Sequence, residues 1–129
     1  MLKKVKSTIL AGAILVSLTA LPFGAAADSN YNATIQPGDS TRLAQEVIWA
    51  DAHLTGSQNS VYSTGNCGVN YYVTNNSGTI QDSEIVYGNK TTVTVNFDLG
   101  AIGETLTLWG KNIYNGARDA VKVIGTWFD

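Results

Sequence analysis

The 129-residue chain has one cysteine (Cys67), one histidine (His53) and only two prolines. Each scarcity removes a class of chemistry. One cysteine cannot close a disulfide within the chain, so stability has to come from a packed core rather than from covalent staples. One sulfur and one imidazole fall short of the four N or S ligands of a structural zinc site. A Cys67–His53 nucleophile and base can be written on paper, but no local signature surrounds either residue. No D-x-D-x-D-G loop exists to hold calcium. Asp82 and Glu84 fall two apart on one face of an expected strand, with Asp39, Asp98 and Asp119 near turns, and they read as solubilising carboxylates. A pair of acids for glycoside cleavage would need a cleft with an apolar wall around one of them, for which a domain this small has little room. The expectation is therefore no catalytic residue, no metal and no cofactor.

Positive charge is also scarce, and most unevenly spread. Lys3, Lys4 and Lys6 open the chain, Thr8 to Leu21 is an uncharged apolar run, and Ala25-Ala26-Ala27 supplies small residues for cleavage. Residues 1–27 thus read as a bacterial secretory signal peptide, and residues 28–129 as the domain that remains. The apolar run is too short for a membrane span, and Cys67 is not placed for lipidation, so neither integral membrane insertion nor a lipid anchor is expected. Three of the eight basic residues leave with the leader. The remainder has 5 basic against 10 acidic residues, a net charge of −5 in place of −2. The 5 cations (Arg42, Lys90, Lys111, Arg118, Lys122) are scattered along the chain. With no basic patch, nucleic acid is excluded as a partner. The expected place of action is extracellular, free or at the cell wall.

What the chain does have is alternation and aromatic residues. Val69, Tyr71 and Val73 alternate with Asn70, Tyr72 and Thr74. Thr91, Val93, Val95, Phe97 and Leu99 alternate likewise through 90–99. Leu106 and Leu108 oppose Thr105, Thr107 and Trp109, and Val121, Val123, Gly125 and Trp127 share one face of the last segment. This period of two is the strand signature. Pro37-Gly38, Asn75-Asn76-Ser77-Gly78, Gly88-Asn89, Gly100 to Gly103 and Asn115-Gly116 mark turns between strands. Tyr31 to Ile35 fits a short edge strand. Over Ser40 to Leu54 a helical stripe (Leu43, Val47, Ala50, Leu54) competes with strand-forming Val47-Ile48-Trp49, and strand is favoured because every other element is β. Residues 56–68 are Gly-, Ser- and Asn-rich and read as loop. The expected fold is all-β, a single antiparallel β-sandwich of six or seven short strands.

Four aromatics, Tyr62, Tyr72, Trp109 and Tyr114, fall off the Leu and Val faces and are the candidate ligand contacts. The unpaired Cys67 is a candidate for an intermolecular disulfide, which keeps a homo-oligomer among the partners considered.

The order of Ala52-His53-Leu54-Thr55-Gly56-Ser57, Tyr71-Tyr72-Val73-Thr74-Asn75-Asn76-Ser77-Gly78, Leu106-Thr107-Leu108-Trp109-Gly110-Lys111-Asn112 and Val123-Ile124-Gly125-Thr126-Trp127 resembles a group of small secreted proteins of Gram-positive bacteria. In outline it is similar to the lactococcin-like bacteriocins. The resemblance implies a secreted, non-enzymatic β-sandwich in which Gly125 and Trp127 mark the fold. Cys67 and Trp109 depart from the group's pattern. Two functions follow as expectations: binding of an envelope, protein or glycan target, including the role of a small carbohydrate-binding module, or a bacteriocin-like effect on competing cells.

Overall fold

The computed structural model describes residues 28–49, 51–100 and 103–128; the expected signal peptide at 1–27 lies outside them. The described residues form eight strands and no helix: β1 (Ser29–Ile35), β2 (Ser40–Ile48), β3 (His53–Ser60), β4 (Gly68–Thr74), β5 (Ile80–Tyr87), β6 (Lys90–Asn96), β7 (Glu104–Asn112) and β8 (Val121–Phe128). They pair antiparallel in two four-stranded sheets, ordered β1-β8-β3-β6 and β2-β7-β4-β5. The chain changes sheet at every connection except the β4–β5 hairpin. That weave of two Greek keys is a jelly roll, one form of the antiparallel sandwich.

The strand count exceeds the expected six or seven, and the reason is local. Residues 40–54 hold two strands in place of one, β2 ending at Ile48 and β3 starting at His53, and the helical stripe is not used. Residues 56–68 are not all loop either, because β3 continues to Ser60. Its outward positions are Thr55, Ser57 and Asn59 and its inward ones include Gly56 and Gln58, so it lacks the apolar alternation that marks the other strands. In the other direction, β6 stops at Asn96, although Phe97 and Leu99 stay buried beyond it.

The core lies between the sheets. Ile35, Leu54, Val95, Val121, Val123 and Trp127 from the first sheet meet Ile48, Val69, Tyr71, Val73, Leu106 and Leu108 from the second, all fully buried. Removal of this apolar surface from water is the main driving force for the fold. Gly56 and Gly125 are direct partners on the two central strands, and Gly125 is also paired with Tyr31. A Cβ built at Gly125 would come within 2.5 Å of the Tyr31 hydroxyl. The absent side chains make room for the Tyr31 ring.

Polar groups in the interior tie the layers together. Gln58, fully buried on β3, accepts a hydrogen bond from the Tyr71 hydroxyl at 2.9 Å and donates to the carbonyls of Val86 and Gly88, each at 2.9 Å. One side chain so joins the first sheet to β4 and β5 of the second. Asn112 donates to the carbonyls of Ile35 (3.2 Å) and Asp119 (2.6 Å). The buried Asp119 carboxylate accepts from the backbone amides of Asn66 (2.8 Å) and Gly116 (2.9 Å). These bonds fix the loops at one pole of the sandwich. At the other pole Asp51 accepts from the Leu99 amide at 3.0 Å.

Candidate functional site

In a strand, alternate side chains face opposite ways, so the buried residues of β2, β4 and β7 define which positions face out. On β4 the outward residues are Asn70, Tyr72 and Thr74; on β7 they are Thr107, Trp109 and Lys111. The register places Tyr72 directly opposite Trp109, Asn70 opposite Lys111, and Thr74 opposite Thr107. On the flanking strand β2, Arg42 is the direct neighbour of Trp109, and Gln45, after a bulge, that of Thr107.

The Tyr72 and Trp109 rings are nearly parallel, 8° apart in plane, with centroids 6.1 Å apart. The indole is held in place because its N–H donates to the Thr74 hydroxyl at 2.9 Å. Thr107 in turn accepts from the Gln45 amide at 3.0 Å. Together with Asn70, Gly78, Ile80 and Lys111 these rings line an open depression of about 400 Å³. Gly78, at φ 80°, closes its rim in the β4–β5 turn, a conformation that favours glycine. Lys111 donates one of its three N–H groups to the Gly38 carbonyl at 3.1 Å. Asn70 Oδ1 is buried with no hydrogen-bond partner among the described residues. The face continues on β5 with exposed Ile80, Ile85 and Tyr87.

The structure thus brings together two of the four candidate aromatics. Tyr62 is elsewhere, exposed in the β3–β4 loop with the Arg118 guanidinium 5.8 Å from its ring centroid. Tyr114 is half-buried in the β7–β8 loop, its ring edge against Gly68. Both sit at the pole that Asn112 and Asp119 organise. Missed from sequence were Asn70, Lys111, Arg42 and Ile80. They share facing with Tyr72 and Trp109, but adjacency appears only once β4 and β7 are known to pair.

Cys67 is buried, 7% exposed, and its burial pushes the thiol pKa up, while the polar side chains of Gln58 and Ser60 pull the other way. A thiol so placed meets a second chain only after local opening. His53 stacks on Phe128, with centroids 4.9 Å apart, at the start of β3. Five to seven strand residues, roughly 16–23 Å, separate it from the stretch of β3 that Cys67 touches, so the pair does not meet. Among the described residues no three of His, Cys, Asp and Glu come together to hold a metal ion, and no helix is long and apolar enough to cross a membrane.

The two outer faces of the sandwich differ in kind. That of the first sheet carries Asn32, Thr34, Thr55, Ser57, Thr94 and Asn96, with Ile124 and the His53–Phe128 stack. That of the second carries the Tyr72–Trp109 pair and the β5 aliphatics. No protein-family model matches the sequence, and no curated protein matches it. Among solved structures, the chain is similar to one described as Bacillus endospore appendages that form a novel family of disulfide-linked pili. The likeness has 13% identity, 87% of this chain and 95% of that chain covered, and a TM-score of 0.40.

Proposed function

We propose that this is a secreted protein that acts by binding, without catalysis, and that its ligand is a saccharide chain of the cell envelope laid across the outer face of the second sheet. The observation that carries the reading is the fixed, near-parallel Tyr72–Trp109 pair in an open, mostly apolar depression edged by Asn70, Thr74 and Lys111. Aromatic faces offer an apolar platform to the C–H side of a sugar ring, while amides, hydroxyls and an ammonium at the edge meet its hydroxyl groups. A shallow, open shape suits an extended polymer better than a small molecule, which is ordinarily enveloped on most of its surface. The fold itself is neutral on function, since sandwiches of this kind host many.

The test is co-sedimentation of the protein, from Asp28 onward, with isolated cell wall. Trp109→Ala and Tyr72→Ala are expected to weaken binding by about 2 kcal/mol each, roughly thirtyfold, as for an aromatic anchor. Their melting temperatures should stay near the parent's. Retained binding in both variants would exclude this face as the site. The bacteriocin-like alternative would add growth inhibition of related Gram-positive strains to the same binding.

A further inference from the structure

We infer that the saccharide recognised on this face is acidic, its carboxylates meeting Arg42 and Lys111; the inference rests on the binding reading above and deepens it. Charge is distributed against the chain's overall balance. The strands of the second sheet contain Glu46, Asp82, Glu84 and Glu104, and the register turns every one of them away from the face of Trp109. Glu46 pairs with Leu106, Asp82 with Val73, Glu84 with the buried Tyr71 and Glu104 with Ile48, all on the inward side. The outward positions of the same four strands hold Arg42 and Lys111 and no acid. The β4–β5 turn at its rim, Asn75 to Thr79, is uncharged as well. From Asp28 onward acids outnumber bases two to one, yet this face is purely cationic.

The two cations are also well placed for one ligand. Arg42 is the direct cross-strand neighbour of Trp109, and Lys111 follows two residues after Trp109 on the same face of β7. They therefore flank the indole along two directions of the sheet. Arg42 presents a planar fork of donors matched to a carboxylate, and Lys111 keeps two N–H groups beyond its bond to Gly38. A sugar ring stacked on Trp109 would carry a ring carboxylate to its edge, within the field of both. A neutral sugar would use the aromatic pair and hydroxyl contacts, without a charge pair.

The experiment compares a panel of uronate oligosaccharides, each beside its carboxyl-reduced neutral counterpart of the same linkage and length. Binding is read by titration calorimetry on the protein from Asp28 onward. At low salt at least one uronate is expected to bind about tenfold more tightly than its reduced form, two exposed charge contacts being worth a few-fold each. The preference should shrink as salt is raised. Arg42→Gln and Lys111→Gln should each lower uronate affinity about threefold, and Arg42→Gln should leave the neutral sugar unchanged, whereas Trp109→Ala should weaken both. Arg42→Gln serves as the check on Lys111→Gln, because Lys111 also bonds Gly38. Equal affinity for every uronate and its reduced form, with Trp109-dependent binding of both, would overturn the acidic ligand and leave the binding reading intact. No binding of any sugar would overturn both.

Discussion

The most demanding prediction concerns Gln58, because it is the kind of residue that a jelly-roll core of this size should not contain without need. Its side chain is fully buried and makes three hydrogen bonds, one accepted from Tyr71 and two donated to the carbonyls of Val86 and Gly88. Tyr71→Phe removes one donor and strands the Gln58 carbonyl oxygen in a dry interior, a loss of about 2 kcal/mol. For a domain of this size that is roughly 10 °C of melting temperature. Gln58→Leu keeps the volume but orphans the Tyr71 hydroxyl and two backbone carbonyls, and should cost about 3–5 kcal/mol. The decisive variant is the double one. Once Gln58 is gone, the Tyr71 hydroxyl is an unpaired buried group, so Tyr71→Phe should now stabilise rather than destabilise. Urea unfolding of the four proteins, read by the fluorescence of the buried Trp127, gives the cycle. A coupling of about 3 kcal/mol is expected, the loss of about 2 kcal/mol turning into a gain of about 1; additivity within about 0.5 kcal/mol would refute the network.

Two further predictions concern titration and reactivity. Burial raises the phenol pKa values of both Tyr31 and Tyr71 above the usual range. In the unfolded chain these phenols lose protons near pH 10 while in the folded one they keep them, so the unfolded state binds fewer protons there and stability falls as pH rises through and beyond about 10. Denaturant midpoints measured from neutral to strongly alkaline pH should be flat and then drop; a flat profile throughout would contradict the burial of these hydroxyls. Cys67, buried and with its thiol pKa raised, should alkylate slowly in the native protein and fast in denaturant. Rapid native labelling, or a reductant-sensitive dimer on a gel without prior unfolding, would show instead that the thiol is accessible.

Where strands carried apolar residues on one side, alternation placed them well. Thr105–Trp109 and Val121–Trp127 face as their pattern demands, and Pro37-Gly38 and Asn75 to Gly78 turn where they should. Strand β3 was hidden because the jelly roll asks something other than hydrophobicity of its inward positions. Gly56 yields space to the Tyr31 ring, and Gln58 supplies hydrogen bonds to the opposite sheet. Neither need leaves a periodic trace. For the site the obstacle was topology rather than chemistry. Tyr72 and Trp109 could each be read as facing away from the core, but a sandwich has two outer faces, and nothing local says which one. Arg42, Asn70 and Lys111 were invisible as site residues for the same reason, being distant in sequence and adjacent only through the β2-β7-β4 order.

That dependence on topology separates what stabilises the chain from what is offered to a ligand. The aromatics that serve the core (Tyr31, Tyr71, Phe97 and Trp127) all face inward, and two of them are bound into specific arrangements with Gly125 and Gln58. Tyr72 and Trp109 face outward on neighbouring strands, and the bond that fixes the indole comes from Thr74, itself on the outer side. If strand propensity alone explained outward aromatics, the first sheet, also four antiparallel strands, would show a comparable pair at the middle of its face. Instead it is largely dressed in Asn, Ser and Thr, with one stacked ring pair at its end. Outward propensity and solubility are thus met without aromatics over most of one face, whereas the other has them at its centre, beside Arg42 and Lys111. The asymmetry is a property of the surface, not of the core. Changes at Trp109, Tyr72, Arg42 and Lys111 should accordingly move binding with little effect on melting, while changes at Gln58 and Gly125 should do the reverse.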